Sequence, residues 1–323
     1  MKKVVSSFKN TVQRGQENTN FINWSNLGLF QIPSITGDKV RAISLRRNYL
    51  TKLNKEICNL DHLRVLVLRR NDIEKLPEQI SKLTQLVYLD AARNHIKFIP
   101  DGLCQLNSLR VLNFESNRIV QIPVDIKHLN KLYKLRMGSN NITDLPNELY
   151  DLTNLIFLDL RGNHLSKLTD KVANLKKLRS LDLRGNFLKT LPISLAELTE
   201  LRYINLCGNL LDSVPYNFSW FKNLEILDLG CNNIGNISFN INELTNLKVL
   251  FLNYNMLSEI NFDLSELHNL EFIDLSNNEL TEIPQGLMKL KKLKRVNLNG
   301  NLISHIPEEL LRMQRTDFFT KIE

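Results

Sequence analysis

The sequence lacks the features that mark several large classes of protein. No run of about 18 apolar residues occurs, so a membrane-spanning helix is not predicted. The basic stretch at residues 1–10 has no apolar segment long enough for a secretion signal, and Lys2 breaks the myristoylation pattern. The four cysteines cluster at neither end, which favours free thiols in a reducing, cytoplasmic compartment.

Motifs for chemistry are also missing. The chain has no G-x-x-x-x-G-K-[ST] phosphate loop, no G-x-G-x-x-G after a strand, no H-E-x-x-H and no C-x-x-C. Its six histidines are scattered and do not gather at the spacing of metal ligands. We therefore predict a protein that is not an enzyme and that needs neither a metal nor a cofactor.

One strong regularity is present: an asparagine recurs every 23 residues, each time within the pattern LxxLxLxxNxL. One copy is LIFLDLRGNHL, from Leu155 to Leu165, and an imperfect extra copy lies at residues 22–33. Such a fixed period predicts stacked structural repeats. The twelve asparagines are Asn48, Asn71, Asn94, Asn117, Asn140, Asn163, Asn186, Asn209, Asn232, Asn255, Asn278 and Asn301.

The pattern within one repeat predicts its local structure. The alternating Leu-x-Leu indicates a short strand with one buried face, and a repeat can bury its leucines only against its neighbours. The asparagine amide can satisfy backbone groups that no strand reaches. A proline such as Pro77 favours an extended segment before a short helical turn. Four repeats have another residue there (Asn54, Thr169, Ser238 and Asn261), and we expect local variation at these places.

These motifs resemble the intracellular 23-residue class of leucine-rich-repeat proteins, of the Ras-suppressor, Erbin and Scribble type. The resemblance covers residues 22–315. It implies an α/β solenoid, a horseshoe with a parallel β-sheet on the concave side and short helical or extended segments on the convex side. Extracellular relatives usually carry cysteine-rich caps, which this chain lacks. We expect residues 1–21 and 316–323 to be terminal caps or tails.

The residues between the leucines define the predicted concave surface. Its N-terminal part is basic, its centre and C-terminal part are rich in aromatic side chains, and a row of aspartates (Asp90, Asp159, Asp182, Asp228 and Asp274) lies beside the arginines. Arginine and aromatic side chains dominate binding energy in protein interfaces. The candidate partner-binding residues are Arg46, Arg69, Arg70, Tyr88, Arg93, Arg136, Phe157, Arg161, Arg184, Phe187, Tyr203, Phe251, Tyr254 and Phe272.

A second apolar set occupies places that are polar in most repeats. It consists of Ile193, Tyr216, Trp220, Phe239 and Phe262. These side chains would align as a ridge on the outer or lateral side. The ridge is either a self-stacked ladder that stiffens the repeats or a second contact, such as one for self-association.

The predicted function is a non-catalytic scaffold in intracellular signalling that binds a protein partner on the concave face. A more specific alternative, implied by the resemblance, is a regulatory subunit of a protein phosphatase or a component of a small-GTPase pathway. The basic N-terminal concavity leaves a third possibility, which is binding of nucleic acid or another anionic ligand. The interspersed aspartates argue against nucleic acid.

Overall fold

The computed structural model describes residues 20–312, apart from residues 36–38, 306, 309 and 311. It forms two compact units, one ending at Leu132 and the other beginning at Tyr133. Both consist of stacked 23-residue repeats, so the solenoid predicted from the sequence is confirmed in each. The predicted caps lie almost wholly outside the described residues and stay predictions.

The first unit has a parallel sheet whose strands fall on the Leu-x-Leu alternation. Neighbouring strands pair in register, so that Leu66 lies opposite Leu89. The strands described in this unit are β1 (Phe21–Asn23), β2 (Ala42–Ser44), β3 (Val65–Val67), β4 (Tyr88–Asp90) and β5 (Val111–Asn113). They lie in chain order, as expected when each repeat contributes one strand.

The second unit repeats this arrangement. Its strands also pair in parallel and in chain order, and Leu158 lies opposite Leu181. The strands described here are β6 (Lys134–Arg136), β7 (Phe157–Asp159), β8 (Ser180–Asp182), β9 (Tyr203–Asn205), β10 (Ile226–Asp228), β11 (Val249–Phe251), β12 (Phe272–Asp274) and β13 (Arg295–Asn297).

From β2 to β12, each strand is followed by a short 3₁₀ helix on the other side of the core. In the first unit these are η1 (Lys55–Asn59), η2 (Glu78–Lys82), η3 (Asp101–Gln105) and η4 (Val124–His128). In the second they are η5 (Asn147–Asp151), η6 (Asp170–Asn174), η7 (Ile193–Glu197), η8 (Tyr216–Trp220), η9 (Ile241–Glu243), η10 (Leu264–Glu266) and η11 (Leu287–Lys289).

The variation expected where proline is replaced occurs at two of the four places. After Ser238 and Asn261 the 3₁₀ helices are shortened, because the side chains of Asn240 and Asp263 accept the backbone N–H two residues on and cap a later start. The expectation is wrong for Asn54 and Thr169. Both residues adopt an extended backbone, at φ −65° for Asn54 and −95° for Thr169, and the following helix keeps its five residues.

The asparagines that recur every 23 residues form the predicted internal ladder. Asn71, for example, donates to the carbonyls of Leu45 and Leu68 at 2.9 and 2.8 Å and accepts the N–H of Leu50 at 3.2 Å. Within each unit, such a side chain ties its own repeat to the preceding one. Inside this ladder the leucines of successive repeats form an aliphatic core that excludes water.

Among the described residues, no helix has both the length and the apolar character that crossing a membrane requires.

Candidate functional site

The middle residue of each strand points into the core, and the first and third residues lie on the opposite side, which we call the open face. Leu158 is 1% exposed, whereas Phe157 beside it is half-buried. The predicted residues on strands of the open face are Tyr88, Arg136, Phe157, Tyr203, Phe251 and Phe272. Those that follow within two or three residues of a strand's end are Arg46, Arg69, Arg70, Arg93, Arg161, Arg184 and Tyr254. Phe187 comes next to the ladder residue Asn186.

Five arginines of the first unit form what we call the arginine cluster: Arg46, Arg47, Arg69, Arg70 and Arg93. Arg47, Arg70 and Arg93 occupy the same place in three successive repeats, with left-handed backbones at φ 57°, 60° and 57°. The charges of Arg47 and Arg93, with smaller effects of burial, Arg46 and Arg69, lower the pKa of Arg70 below its usual range. The cluster is therefore a dense group of like charges.

The open face of the second unit begins with two cations over one ring. Lys134 Nζ lies 4.4 Å and Arg136 Cζ 5.2 Å from the centroid of Phe157. Such cation–π contacts favour positive charge over an aromatic face. Burial and then the charge of Arg136 lower the pKa of Lys134 below its ordinary value.

The predicted acidic row is corrected by the structure. Asp90, Asp159 and Asp182 are buried, while Asp228 and Asp274 are half-buried. Each accepts a hydrogen bond from the backbone N–H two residues later, as Asp182 does from Arg184 at 3.1 Å. The carboxylates therefore shape the turn after the strand and do not form an exposed row, although Asp159 and Asp182 do pair with Arg161.

Aromatic side chains accumulate along the rest of this face. The rings of Phe251 and Phe272 pack at 5.1 Å across adjacent strands. Tyr254, three residues after β11, is 57% exposed, and Met256, which follows the ladder residue Asn255 at the margin of the face, is 53% exposed. Tyr203 accepts a hydrogen bond from Asn205 Nδ2 at 3.1 Å. This end of the face offers a large apolar surface to solvent.

Phe187 lies at the margin of the open face. Its side chain is 50% exposed, and its ring stacks on His164 of the preceding repeat, with centroids 5.7 Å apart.

The predicted lateral ridge is only partly a surface. Ile193, Tyr216 and Trp220 are exposed and Phe262 is half-buried. Phe239 is 3% exposed, so its assignment to the ridge was wrong. Its ring packs against that of Phe218 with centroids 5.7 Å apart, in a repeat whose 3₁₀ helix begins later, at Ile241.

One exposed aromatic pair escaped the sequence interpretation. Phe30 stacks on Tyr49 with ring centroids 5.2 Å apart, and Phe30 is the most exposed large hydrophobic residue among those described. It lies in the imperfect repeat at residues 22–33, where the 23-residue register cannot be applied. The one sequence signal for this pair is the mostly apolar run Leu27–Ile32, which lies outside the regular 23-residue repeats.

The part of the chain that the structure describes has neither a candidate metal site nor a disulfide bond. No group of three or more histidine, cysteine or acidic side chains there could hold a metal ion. All four cysteines are free. Burial raises the pKa of Cys58 to about 11 and that of Cys104 to about 12, so both are protonated at neutral pH.

Models of three related families match the sequence. The leucine-rich-repeat region model matches residues 38–116. The leucine-rich-repeat model matches residues 107–165, 158–211 and 222–280, and the model of two repeat copies matches residues 268–309. No protein with a curated description matches the chain.

Solved structures with the same repeats are similar to this chain. A leucine-rich-repeat protein of Leptospira interrogans is 33% identical, with a TM-score of 0.84, over 90% of this chain and 75% of that one. An internalin of Listeria monocytogenes is 26% identical, with a TM-score of 0.64, over 80% of each chain. The ectodomain of an Arabidopsis thaliana membrane receptor kinase, in complex with Casparian strip integrity factor 2, is 26% identical, with a TM-score of 0.54, over 82% of this chain and 39% of that one.

Proposed function

Because this chain belongs to the leucine-rich-repeat family, we propose that it is a non-catalytic interaction module that binds a protein partner on its open face. The observation that carries the proposal is the apolar surface around Phe251, Phe272, Tyr254 and Met256. The aromatic side chains on this face do not contribute to the leucine core, because the core is formed by the inward-facing side chains of the strands. Aromatic and methionine side chains are enriched in protein interfaces, and they supply most of the binding energy there.

The similar plant receptor ectodomain was solved in complex with Casparian strip integrity factor 2. That complex supports partner binding by this fold. The resemblance to the intracellular repeat class, together with four free cysteines, supports a role as a cytoplasmic signalling scaffold. Regulation of a protein phosphatase or of a small-GTPase pathway is the more specific form of the same proposal.

The test compares partner capture by three forms of the protein. Each form carries a crosslinkable tag, and quantitative mass spectrometry measures the amount of partner that it recovers. The three forms are wild type, the double variant Tyr254→Ala/Met256→Ala, and Phe98→Ala. Phe98 is 61% exposed and lies outside the open face, so it controls for loss of an exposed aromatic ring. We expect the double variant to recover its specific partner at least about tenfold less efficiently, and Phe98→Ala to match wild type. Equal recovery by all three forms would refute binding at this surface.

A further inference from the structure

The side chains of the arginine cluster of the first unit form no ion pair with the strand carboxylate of their own repeats, since Asp90 is buried and accepts the N–H of Ala92 at 3.1 Å. Among the described residues, none of its five members forms an ion pair or a side-chain hydrogen bond. The Nε atom of Arg70 is buried and has no hydrogen-bond partner. Arg161 in the second unit, by contrast, lies between two carboxylates. Like charges held together without a counter-ion destabilise the fold, so the cluster does not serve its stability.

The cluster is also compact. Arg47, Arg70 and Arg93 come from adjacent repeats, and adjacent strands are about 4.8 Å apart, so the row is about 10 Å long. Arg46 and Arg69 precede two of its members in the chain. In the next repeat the same place is taken by Ser116, which ends the row of cations.

We propose that the arginine cluster binds a phosphate monoester carried by a segment of the protein partner. This inference rests on the proposed function, and it specifies the chemistry of one part of the partner. A phosphorylated side chain has close to two negative charges and three acceptor oxygens. Guanidinium groups present their donors in a planar fork that fits a phosphate bidentately. Several arginines around one doubly charged group match its charge and its acceptors better than they match a single carboxylate.

A nucleic acid strand fits this surface less well. Proteins that bind single strands use a positive groove along several nucleotides and free aromatic faces on which bases stack. The row of cations ends after three repeats, and the nearby ring of Tyr49 is already stacked on Phe30. The observations therefore favour a single phosphate group on a polypeptide.

The repeat itself supplies variants that leave the fold intact. At the place of Arg47, Arg70 and Arg93 the second unit has Gly162, Gly185 and Gly208, with the same positive φ. Glycine adopts this conformation without strain, so Arg47→Gly/Arg70→Gly/Arg93→Gly removes three charges at positions that accept glycine. A control of equal charge is Arg41→Gln/Arg64→Gln/Arg110→Gln, at exposed positions just before β2, β3 and β5.

The experiment uses the full chain and two immobilised peptide libraries of random flanking sequence, one with a central phosphoserine and one with a central serine. A third library with glutamate at the centre and a single-stranded DNA of matched charge serve as competitors. We expect wild type and the glutamine control to bind the phosphoserine library at least about tenfold better than the serine library, and the glycine variant to lose this preference. Unchanged preference in the glycine variant, equal competition by the glutamate library, or stronger competition by DNA would each overturn the inference.

Failure of this inference can be distinguished from failure of the proposed function. Phosphatase treatment of the cell extract, followed by the capture experiment with Tyr254→Ala/Met256→Ala, separates the two. A partner lost with that variant but recovered equally before and after phosphatase treatment would retain the proposed function and refute the phosphate site. A partner lost with Tyr254→Ala/Met256→Ala, with the glycine variant and after phosphatase treatment would support both.

Discussion

The guanidinium group of Arg161 lies 3.7 Å from the carboxylate of Asp182 on the neighbouring strand, and 3.5 Å from that of Asp159 on its own. Both carboxylates are largely buried, while the arginine is about one-third exposed. The positive charge of Arg161 thus stabilises two carboxylates, and each of these accepts a backbone N–H in the turn after its strand. This arrangement distinguishes Arg161 from the arginine cluster, whose five side chains form no ion pair with a carboxylate of the described residues.

Replacing Arg161 with Gln should destabilise the fold in a pH-dependent way. The charge of Arg161 lowers the pKa of Asp182, although burial keeps that pKa above its usual value, and the substitution raises it further. Because the folded pKa of Asp182 is then higher in the variant than in wild type, the penalty is absent at low pH and grows as pH rises through these two folded pKa values. We expect a loss of about 2 kcal/mol at pH 7 and less at pH 4, measured by urea unfolding.

The matched control for this prediction is Arg179→Gln. Arg179 pairs with Glu200 at 3.4 Å, but both side chains are about half exposed. Exposed pairs contribute less than about 1 kcal/mol. A loss at Arg161 no larger than that at Arg179, or one independent of pH, would contradict the role of Arg161 in compensating buried carboxylates.

Asp228 should destabilise the protein when it is ionised. Burial is the main cause that raises its pKa from 3.8 to about 6, and the charge of Asp182 adds to it, against the opposing N–H of Gly230 and charge of Arg184. Because the folded pKa is the higher one, stability falls as pH rises from about 4 to about 6. Asp228→Asn can keep the hydrogen bond from Gly230, and we expect it to be more stable than wild type by on the order of 1–2 kcal/mol at pH 7 and equally stable near pH 4.

An opposite response at Asp263 provides the control for Asp228. Hydrogen bonding from the backbone N–H of Ser265 lowers the pKa of Asp263, so its charged form is favoured in the folded state. Asp263→Asn should therefore lower stability at pH 7, and the effect should be lost only as pH falls from the unfolded pKa through the lower folded pKa. Thermal unfolding at pH 4 and pH 7 reads out both variants, and the same sign of effect at the two positions would refute the argument.

The repeat period was sufficient to predict the strands, the asparagine ladder and the side of the sheet on which each residue lies. A period of 2 within Leu-x-Leu fixes which side chains point inward, and Phe157, Tyr203 and Phe251 all follow it. The pattern could not predict how the strand ends. Aspartates at the third strand position fold back onto the backbone, and this depends on a turn conformation that the spacing of leucines does not encode.

Two further differences have the same physical origin. Phe239 and Phe30 both lie where the repeat departs from its consensus, without the proline in one case and without a full register in the other. At these two places position in the period does not determine burial, since Phe239 is 3% and Phe30 is 73% exposed. The absence of ion pairs around Arg70 could not be predicted from the sequence either. It depends on which carboxylates are buried in turns and so cannot pair with an arginine.

The corrected position of Phe239 leads to a direct test on stability. Its ring packs 5.7 Å from that of Phe218, whereas Tyr216 in the preceding repeat is 63% exposed. Phe239→Ala should cost about 3–5 kcal/mol because it leaves a cavity in the core. Tyr216→Ala should change stability by no more than about 0.5 kcal/mol. Urea unfolding of the two variants under the same conditions compares them, and equal effects would restore the interpretation of Phe239 as a surface residue.

The asparagine ladder predicts a loss of stability that stays local. Asn186 donates to the carbonyls of Leu160 and Leu183 and accepts the N–H of Leu165 at 3.0 Å, and all of these groups are buried. Asn186→Ala leaves them without partners, at about 1–3 kcal/mol for each group that water cannot reach. We expect a total of about 3 kcal/mol by urea unfolding, against at most about 0.5 kcal/mol for Asn246→Ala, whose single bond to Lys222 is exposed.

Hydrogen exchange distinguishes this local effect from a general one. Each repeat contacts only its neighbours, so the weakened protection should be confined to the repeats that share Asn186. The amide of Leu165 should exchange faster in Asn186→Ala, while that of Leu257, held by Asn278 at 3.1 Å, should keep its rate under native conditions. Uniform acceleration at both amides would mean that the repeats unfold as one cooperative unit, and that the ladder residues stabilise the whole array and not the junction each one spans.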